Sequence, residues 1–367
     1  MKELSSIFEV VLSVINECSL KKLFDQELFY NLKKESPPHL LIGIGKMAYP
    51  LISELMNSSL LGRPFVITKN QILDQADQDD SLKIVLGSHP HLDFKSLQAG
   101  QELLSFLKES KKYEDHEMFV GLTGGASSLV DILPEGISSE FIFKLNSELL
   151  KSGADIEDVN QIRQEFSCLK NGGLLTFSKA KAVHTFITSD IPSGHYEKVG
   201  SSPTIYEEPN FNELKVLVKN LLSVQVGQKA LSFFKSKVRS ELLQRKEKAF
   251  KEKDVRTYLV ADYKRLVKNL KLSFKDQVIV KEGPYSCEIG KAVKEHIEKL
   301  KKILEEDLFK ARGGFYLTGG ETPVLVKGKG LGGRNTEFVL RMAKELFFDN
   351  VLGLSEIVLK RIAVASF

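Results

Sequence analysis

A short stretch late in the chain carries the residue types that anion chemistry needs: Gly319-Gly320-Glu321-Thr322-Pro323-Val324, then Gly328-Lys329-Gly330-Leu331-Gly332-Gly333-Arg334-Asn335. Glycine tolerates positive φ, so successive backbone N–H groups can converge on one anion. Arg334 sets a permanent, forked positive charge beside that turn. The apolar run Phe315-Tyr316-Leu317 comes just before it, so strand, glycine turn, strand, glycine turn, helix is the expected order. Handling of phosphate is the chemistry these groups suit. A glycine-rich hairpin with an exposed arginine is the plainer alternative.

Three other loops offer matching parts. Gly43-Ile44-Gly45-Lys46 ends an apolar run, but Met47 follows the lysine and the GxxxxGK[ST] spacing of a P-loop is absent. Lys46 is either a surface lysine at a helix start or an ammonium that meets a phosphate. Leu122-Thr123-Gly124-Gly125-Ala126-Ser127-Ser128-Leu129 is either an anion nest or a tight turn with Ser127 or Ser128 capping a helix. In Thr188-Ser189-Asp190-Ile191-Pro192, an aspartate at a strand end could hold Mg²⁺, take a proton from a hydroxyl, or cap a helix. Asn160-Gln161-Ile162-Arg163 and Lys170-Asn171-Gly172-Gly173 add basic and glycine positions. None is persuasive alone. Together, Lys46, Asp190, Arg334 and the glycine turns supply cation clamps, a carboxylate and backbone donors, the parts that phosphoryl transfer requires.

Strands must carry these loops to one edge. His39 to Gly45, Phe65 to Ile67, Lys83 to Leu86, Glu117 to Leu122 and Val183 to Thr188 are apolar runs, most of them closing on glycine or polar turns. Helical patterns separate them, over residues 46–56 and 94–110. Unbroken apolar strands alternating with helices predict a parallel sheet covered on both faces. A helical stripe is expected over residues 1–33. Residues 211–253 read as helical and lysine-rich, an inter-domain passage. The alternation resumes with a strand at Thr257–Ala261, a helix near 288–306, strands near 315–318 and 323–327, and a helix near 335–347.

Composition narrows the class. A length of 367 residues suggests two domains, and 42% hydrophobic with 27% charged residues is ordinary for a globular protein. A net charge of +4 is too mild to indicate nucleic acid, and the basic stretch Lys229–Lys253 is interleaved with acids, as a solvated helix face would be. Cys18, Cys168 and Cys287 lie far apart with no CxxC, which favours a reducing compartment over a disulfide frame or zinc. His89 and His91 flank Pro90, and a polar loop beside a ligand is preferred there to a metal pair. The N-terminal stripe is broken by Glu9 and Glu17, unlike a signal peptide or a membrane span. Cytoplasm is the default.

The order of these motifs resembles the glycerate 2-kinase family, the one carrying a C-terminal MOFRL domain. Gly43-Ile44-Gly45-Lys46-Met47-Ala48 is similar to its GKAA-type turn, Gly87-Ser88-His89-Pro90 to its GHP loop, and Thr123 to Leu129 to its SGGGSALL loop. Asn160 to Arg163 with Ser167 to Lys170 resembles N-x-x-R…S-x-x-K, Thr188 to Pro192 resembles SDVPGDD, and Ser201-Ser202-Pro203-Thr204 resembles ASGPT. Thr318 to Glu337 resembles SGGET…GGRNQE. The resemblance implies a Rossmann-like doubly wound α/β/α domain over 1–235 and a smaller α/β MOFRL-like domain over 236–367, with the site in the cleft between them. It implies ATP- and Mg²⁺-dependent phosphorylation of D-glycerate at its 2-hydroxyl. Lys46 and Arg334 would stabilise the transferring phosphoryl group, converging on one anion, and Asp190 would bind metal or act as base. Gly45, Thr123, Gly124, Gly125, Ala126, Ser127, Ser128, Gly319, Gly320, Glu321, Gly332, Gly333 and Asn335 would hold nucleotide phosphates or the glycerate carboxylate, with Arg163 and Lys170 as further anion contacts. The partners implied are glycerate and ATP, with no nucleic acid or membrane, in a monomer or homodimer.

Departures from the pattern are plain. Ser193-Gly194-His195-Tyr196-Glu197, one residue longer, stands where the family has GDD, Thr336 replaces a Gln and Ala126 a Gly. The chain stops at Phe367, where the family runs into a TDGxDGPTDAAGA loop and a final helix, so a truncated product or a degenerate paralogue is expected. The competing reading is therefore a non-catalytic nucleotide- or sugar-acid-binding protein. No GxGxxG dinucleotide fingerprint supports a hydroxypyruvate reductase. A phosphosugar isomerase ranks lower, with only His89 and Glu321 as bases near the glycine loops.

Overall fold

The computed structural model describes residues 12, 13, 16, 19–23, 39–57, 62–69, 82–109, 117–189, 194–274, 278–280, 285, 287–305, 315–320, 322, 333–355 and 364. The expected helix over 1–33 falls mostly outside these, as does the strand near 323–327. Contacts divide the chain into two units, Leu20–Asp262 and residues 1–19 with 263–367.

The first unit is a sheet of six parallel strands in the order β3-β2-β1-β4-β5-β6: β1 His39–Ile44, β2 Gly62–Thr68, β3 Lys83–Leu86, β4 Met118–Leu122, β5 Ala182–Thr188 and β6 Asp254–Ala261. Its helices are α1 Leu20–Leu23, α2 Ala48–Asn57, α3 Phe94–Glu109, α4 Ala126–Leu129, α5 Ser139–Lys151, α6 Ile156–Glu165, α7 Phe211–Leu221, α8 Val224–Phe234 and α9 Lys237–Lys251. Successive residues of a strand face opposite ways. Leu40, Ile42 and Ile44 therefore join a core with Leu103 and Phe106 of α3, while Leu41 joins Leu51, Ile52 and Leu55 of α2 in another. Both faces are covered, as the unbroken apolar runs predict.

A satellite core gathers Phe141, Leu145, Ile162, Val218 and Phe233 from α5 to α8, with Phe166 just past the end of α6. The helical passage after Pro209 thus packs into the first unit, and β6 pairs with β5 along Ala182–Thr188. A boundary after residue 235 would strip the sheet of its edge strand; here the unit runs on to Asp262.

α9 closes over the sheet with a lysine inside. Lys246 is 0% exposed and its amine donates to Ser167 O at 2.8 Å. Burial pulls its pKa from the ordinary 10.5 to about 8. Between those values the unfolded chain binds a proton that the folded one has released, so stability rises with pH across the interval. The urea midpoint should climb between about pH 8 and about pH 10, and climb less in Lys246→Met.

The second unit pairs β7 Val278–Val280 with β8 Phe315–Leu317 in parallel, beside α10 Tyr263–Phe274, α11 Ile289–Glu305 and α12 Arg334–Ala343. Val293 of α11 packs with Met342 and Leu346 in one small core. Among the described residues, no helix is long and apolar enough to cross a membrane.

Candidate functional site

In the order 3-2-1-4-5-6 the chain leaves β1 toward one edge of the sheet and β4 toward the other. Loops at the carboxyl ends of two such strands part and leave a crevice, where open parallel sheets bind ligands. Here those loops are Gly45-Lys46 and Thr123-Gly124-Gly125.

They are laced together. Thr123 N–H donates to Ile44 O, Lys46 N–H to Gly124 O and Met47 N–H to Thr123 Oγ1, each at 3.0 Å. Gly45 has φ +137°, and a Cβ there would lie 2.0 Å from Thr123 Oγ1, so a larger residue would force the loops apart. Gly125 has φ +87°, and the space its Cβ would take is bordered by His89 Cδ2 at 3.0 Å and by Lys46 Cγ and Cε at 3.2 Å. The Lys46 stem and the His89 ring edge thus bracket the glycine turn. His89 was read as part of a polar loop beside a ligand; its ring edge borders the Gly125 turn.

Beyond Gly125, Ser127 Oγ meets Ser201 Oγ at 2.9 Å, and Arg163 Nη2 donates to Ser127 O at 3.0 Å. Gly125, not a serine, precedes α4, while Ser128 Oγ donates back to Gly125 O at 3.2 Å. Ser201 and Ser202 are both left-handed, at φ +60° and +55°, a conformation that costs non-glycine residues free energy. Ser202 occupies the position of the glycine in ASGPT. Asn171 N–H to Ser201 O at 3.0 Å and Gly172 N–H to Ser202 O at 2.8 Å hold the strained pair in place.

Under this surface lies a buried polar cluster. Asp131 Oδ1 accepts from Ser167 Oγ at 2.5 Å and from Ile132 N–H at 2.8 Å, and Oδ2 accepts from Lys170 Nζ. Ser167 Oγ in turn accepts the N–H groups of Leu169 and Lys170, at 3.1 and 3.0 Å. Burial pulls the Lys170 ammonium below the usual lysine range and Asp131 opposes that pull; the same two influences act on Arg163. Lys170 was expected to contact an anion. Its amine is instead turned inward onto a carboxylate that is 3% exposed. Asp131 was missed altogether, and its signal was a lone acid in the apolar run Leu129-Val130-Asp131-Ile132-Leu133. Burial pushes the thiol of Cys168 beside it up to about 11, which favours the protonated form.

A groove of about 440 Å³ opens onto His89, Gly124, Gly125, Ser127 and Arg163, and its lining also includes Glu157, Glu207, Glu208 and Glu213. That volume suits a small-molecule ligand. Lys198 lines it as well as Arg163, its amine 3.2 Å from Glu157, and the groove's carboxylates can accept hydrogen bonds from hydroxyls.

The second unit holds Gly319, Gly320, Gly333, Arg334 and Asn335. Gly319 N–H donates to Tyr263 OH at 3.2 Å, and its carbonyl accepts from Tyr285 N–H at 2.8 Å. Arg334 and Asn335 open α12 and are exposed. Asp190, Glu321 and Gly332 lie outside the described residues.

Residues 7–235, well over half of the chain, match the family described as "Domain of unknown function (DUF4147)". A glycerate 2-kinase of Picrophilus torridus is 26% identical over 355 residues, covering 94% of this chain and 78% of that protein. A D-glycerate 2-kinase of Thermotoga maritima is 27% identical over 312 residues, covering 83% of this chain and 70% of that protein. The crystal structure of a glycerate kinase from Thermotoga maritima shares the fold, with a TM-score of 0.68 at 24% identity over 94% of this chain and 81% of that one. The resemblance carried by the motifs therefore holds, and this chain belongs to the DUF4147 family.

Proposed function

We propose that the protein is a phosphotransferase of the glycerate 2-kinase type, moving the γ-phosphoryl group of ATP to the 2-hydroxyl of D-glycerate and releasing ADP and 2-phosphoglycerate. The observation that carries this reading is the bracketing of left-handed Gly125 by Lys46 and His89 at the sheet's switch point. In a chain similar to glycerate 2-kinases, a cation beside a glycine turn suits the triphosphate or the glycerate carboxylate.

The 2-hydroxyl oxygen attacks the γ-phosphorus as the bond to the ADP oxygen breaks. Charge gathers on the transferring oxygens, and Lys46 is the cation proposed to meet it in the first unit. Arg163 supports the turn from behind through Ser127 O. In the second unit, Arg334, Asn335 and the Gly319-Gly320 turn are carried forward as further anion contacts. Mg²⁺ and the proton acceptor rest on Asp190. Among the described residues no group of three His, Cys, Asp or Glu side chains could hold a metal, and no step here passes through one.

A coupled assay for ADP, run with and without D-glycerate, tests the proposal. Glycerate-dependent release is expected, with phosphorus NMR locating the phosphate on carbon 2. ATP consumption indifferent to glycerate would overturn it. Replacement of the family's GDD by Ser193-Gly194-His195-Tyr196-Glu197 favours a second reading, binding without turnover, which calorimetry would reveal as glycerate or nucleotide heat in an inactive protein.

A further inference from the structure

His296 of α11 is buried in the second unit and joins its separate parts. Its Nδ1 lies 2.7 Å from Ala292 O, one helical turn back. A carbonyl only accepts, so Nδ1 carries the proton, and in the neutral ring Nε2 is left as an acceptor. Thr318 Oγ1, at the end of β8, stands 2.9 Å from Nε2 and must donate. The ring stacks on Tyr285 at 4.2 Å between centroids and meets Phe338, in the second turn of α12, edge-on at 4.8 Å. One imidazole therefore touches the residue before Gly319-Gly320, the tyrosine whose N–H holds Gly319 O, and the helix that begins with Arg334.

We propose that His296 is a positioning residue: through the Thr318 hydroxyl and the Phe338 ring it fixes the Gly319-Gly320 turn relative to the start of α12. This rests on the kinase reading insofar as that turn and Arg334 contact the anion. No contact of His296 with substrate is implied. Packing alone would not require the hydrogen bond, because a phenylalanine would fill the same space.

The test is a double-mutant cycle. His296→Phe keeps the ring and loses both nitrogens, Thr318→Val removes only the hydroxyl, and His296→Gln restores an acceptor. Each of the first two should lower kcat/KM about tenfold, mostly in kcat, and the double variant should fall no further than the worse single. His296→Gln should recover part of the loss. Wild-type kinetics in both single variants, or losses that multiply in the double variant, would overturn the proposal. If His296→Phe does not fold, Thr318→Val and His296→Gln carry the comparison. If the wild-type protein shows no glycerate-dependent turnover, the kinase reading fails by itself. Hydrogen exchange at the Gly319 amide then decides: faster exchange in His296→Phe or Thr318→Val supports positioning, and unchanged exchange sinks it.

Discussion

Lys46→Ala should lower kcat for the proposed glycerate phosphorylation by about 100-fold or more. The side chain is exposed, so its loss should leave stability within about 0.5 kcal/mol of wild type. Its stem lies against the glycine turn after β4, at the switch point where open parallel sheets bind ligands. A cation there gains most when charge builds on the transferring oxygens, so the loss should fall on kcat more than on KM. Lys46→Arg should recover little, since a planar fork does not reproduce a compact ammonium. Steady-state kinetics with both substrates varied, beside a thermal melt, checks each part. Equal kcat in wild type and Lys46→Ala would remove Lys46 from the chemistry.

Asp131→Ala should destabilise the first unit by about 3–5 kcal/mol, the usual cost of stripping the partner from a buried charge. In a unit this size that corresponds to a fall in Tm on the order of 10 °C. The carboxylate accepts from Lys170, Ser167 and the Ile132 N–H, and it opposes the desolvation of Arg163. Removing it leaves two buried cations without their counter-charge. Asp131→Ala with Lys170→Met should be much less harmful than Asp131→Ala alone, because the stranded ammonium is gone. Calorimetric melts of the single and double variants measure this. A single variant as stable as wild type would show that Asp131 does not hold the cluster.

Much of the first unit was legible because its signals are local. Strands such as Leu40-Leu41-Ile42 are apolar on both faces, as strands of a doubly covered parallel sheet are. Gly45, Gly124 and Gly125 sit where the chain turns out of those strands, so the loops of the candidate site could be placed at strand ends. Asp131, Ser167 and Lys170 were not assembled from sequence. Their bonds span 36 and 39 positions, and no local pattern says which lysine meets which acid. α5 and α6 went unread because they bury their apolar faces against α7 and α8 rather than on the sheet. The lysine-rich passage after Pro209 looked like a linker because its charges dominate. Its buried residues Leu214, Val218, Phe233 and Leu242 show the apolar stripe beneath them.

Hydrogen–deuterium exchange of the whole chain, with and without D-glycerate and a non-hydrolysable ATP analogue, tests the location of the site most directly. Slowed exchange at residues 45–47 and 123–128 on ligand addition is the expected result, weakened in Lys46→Ala. Tight binding that protects other segments while leaving both loops unchanged would contradict a switch-point anion site.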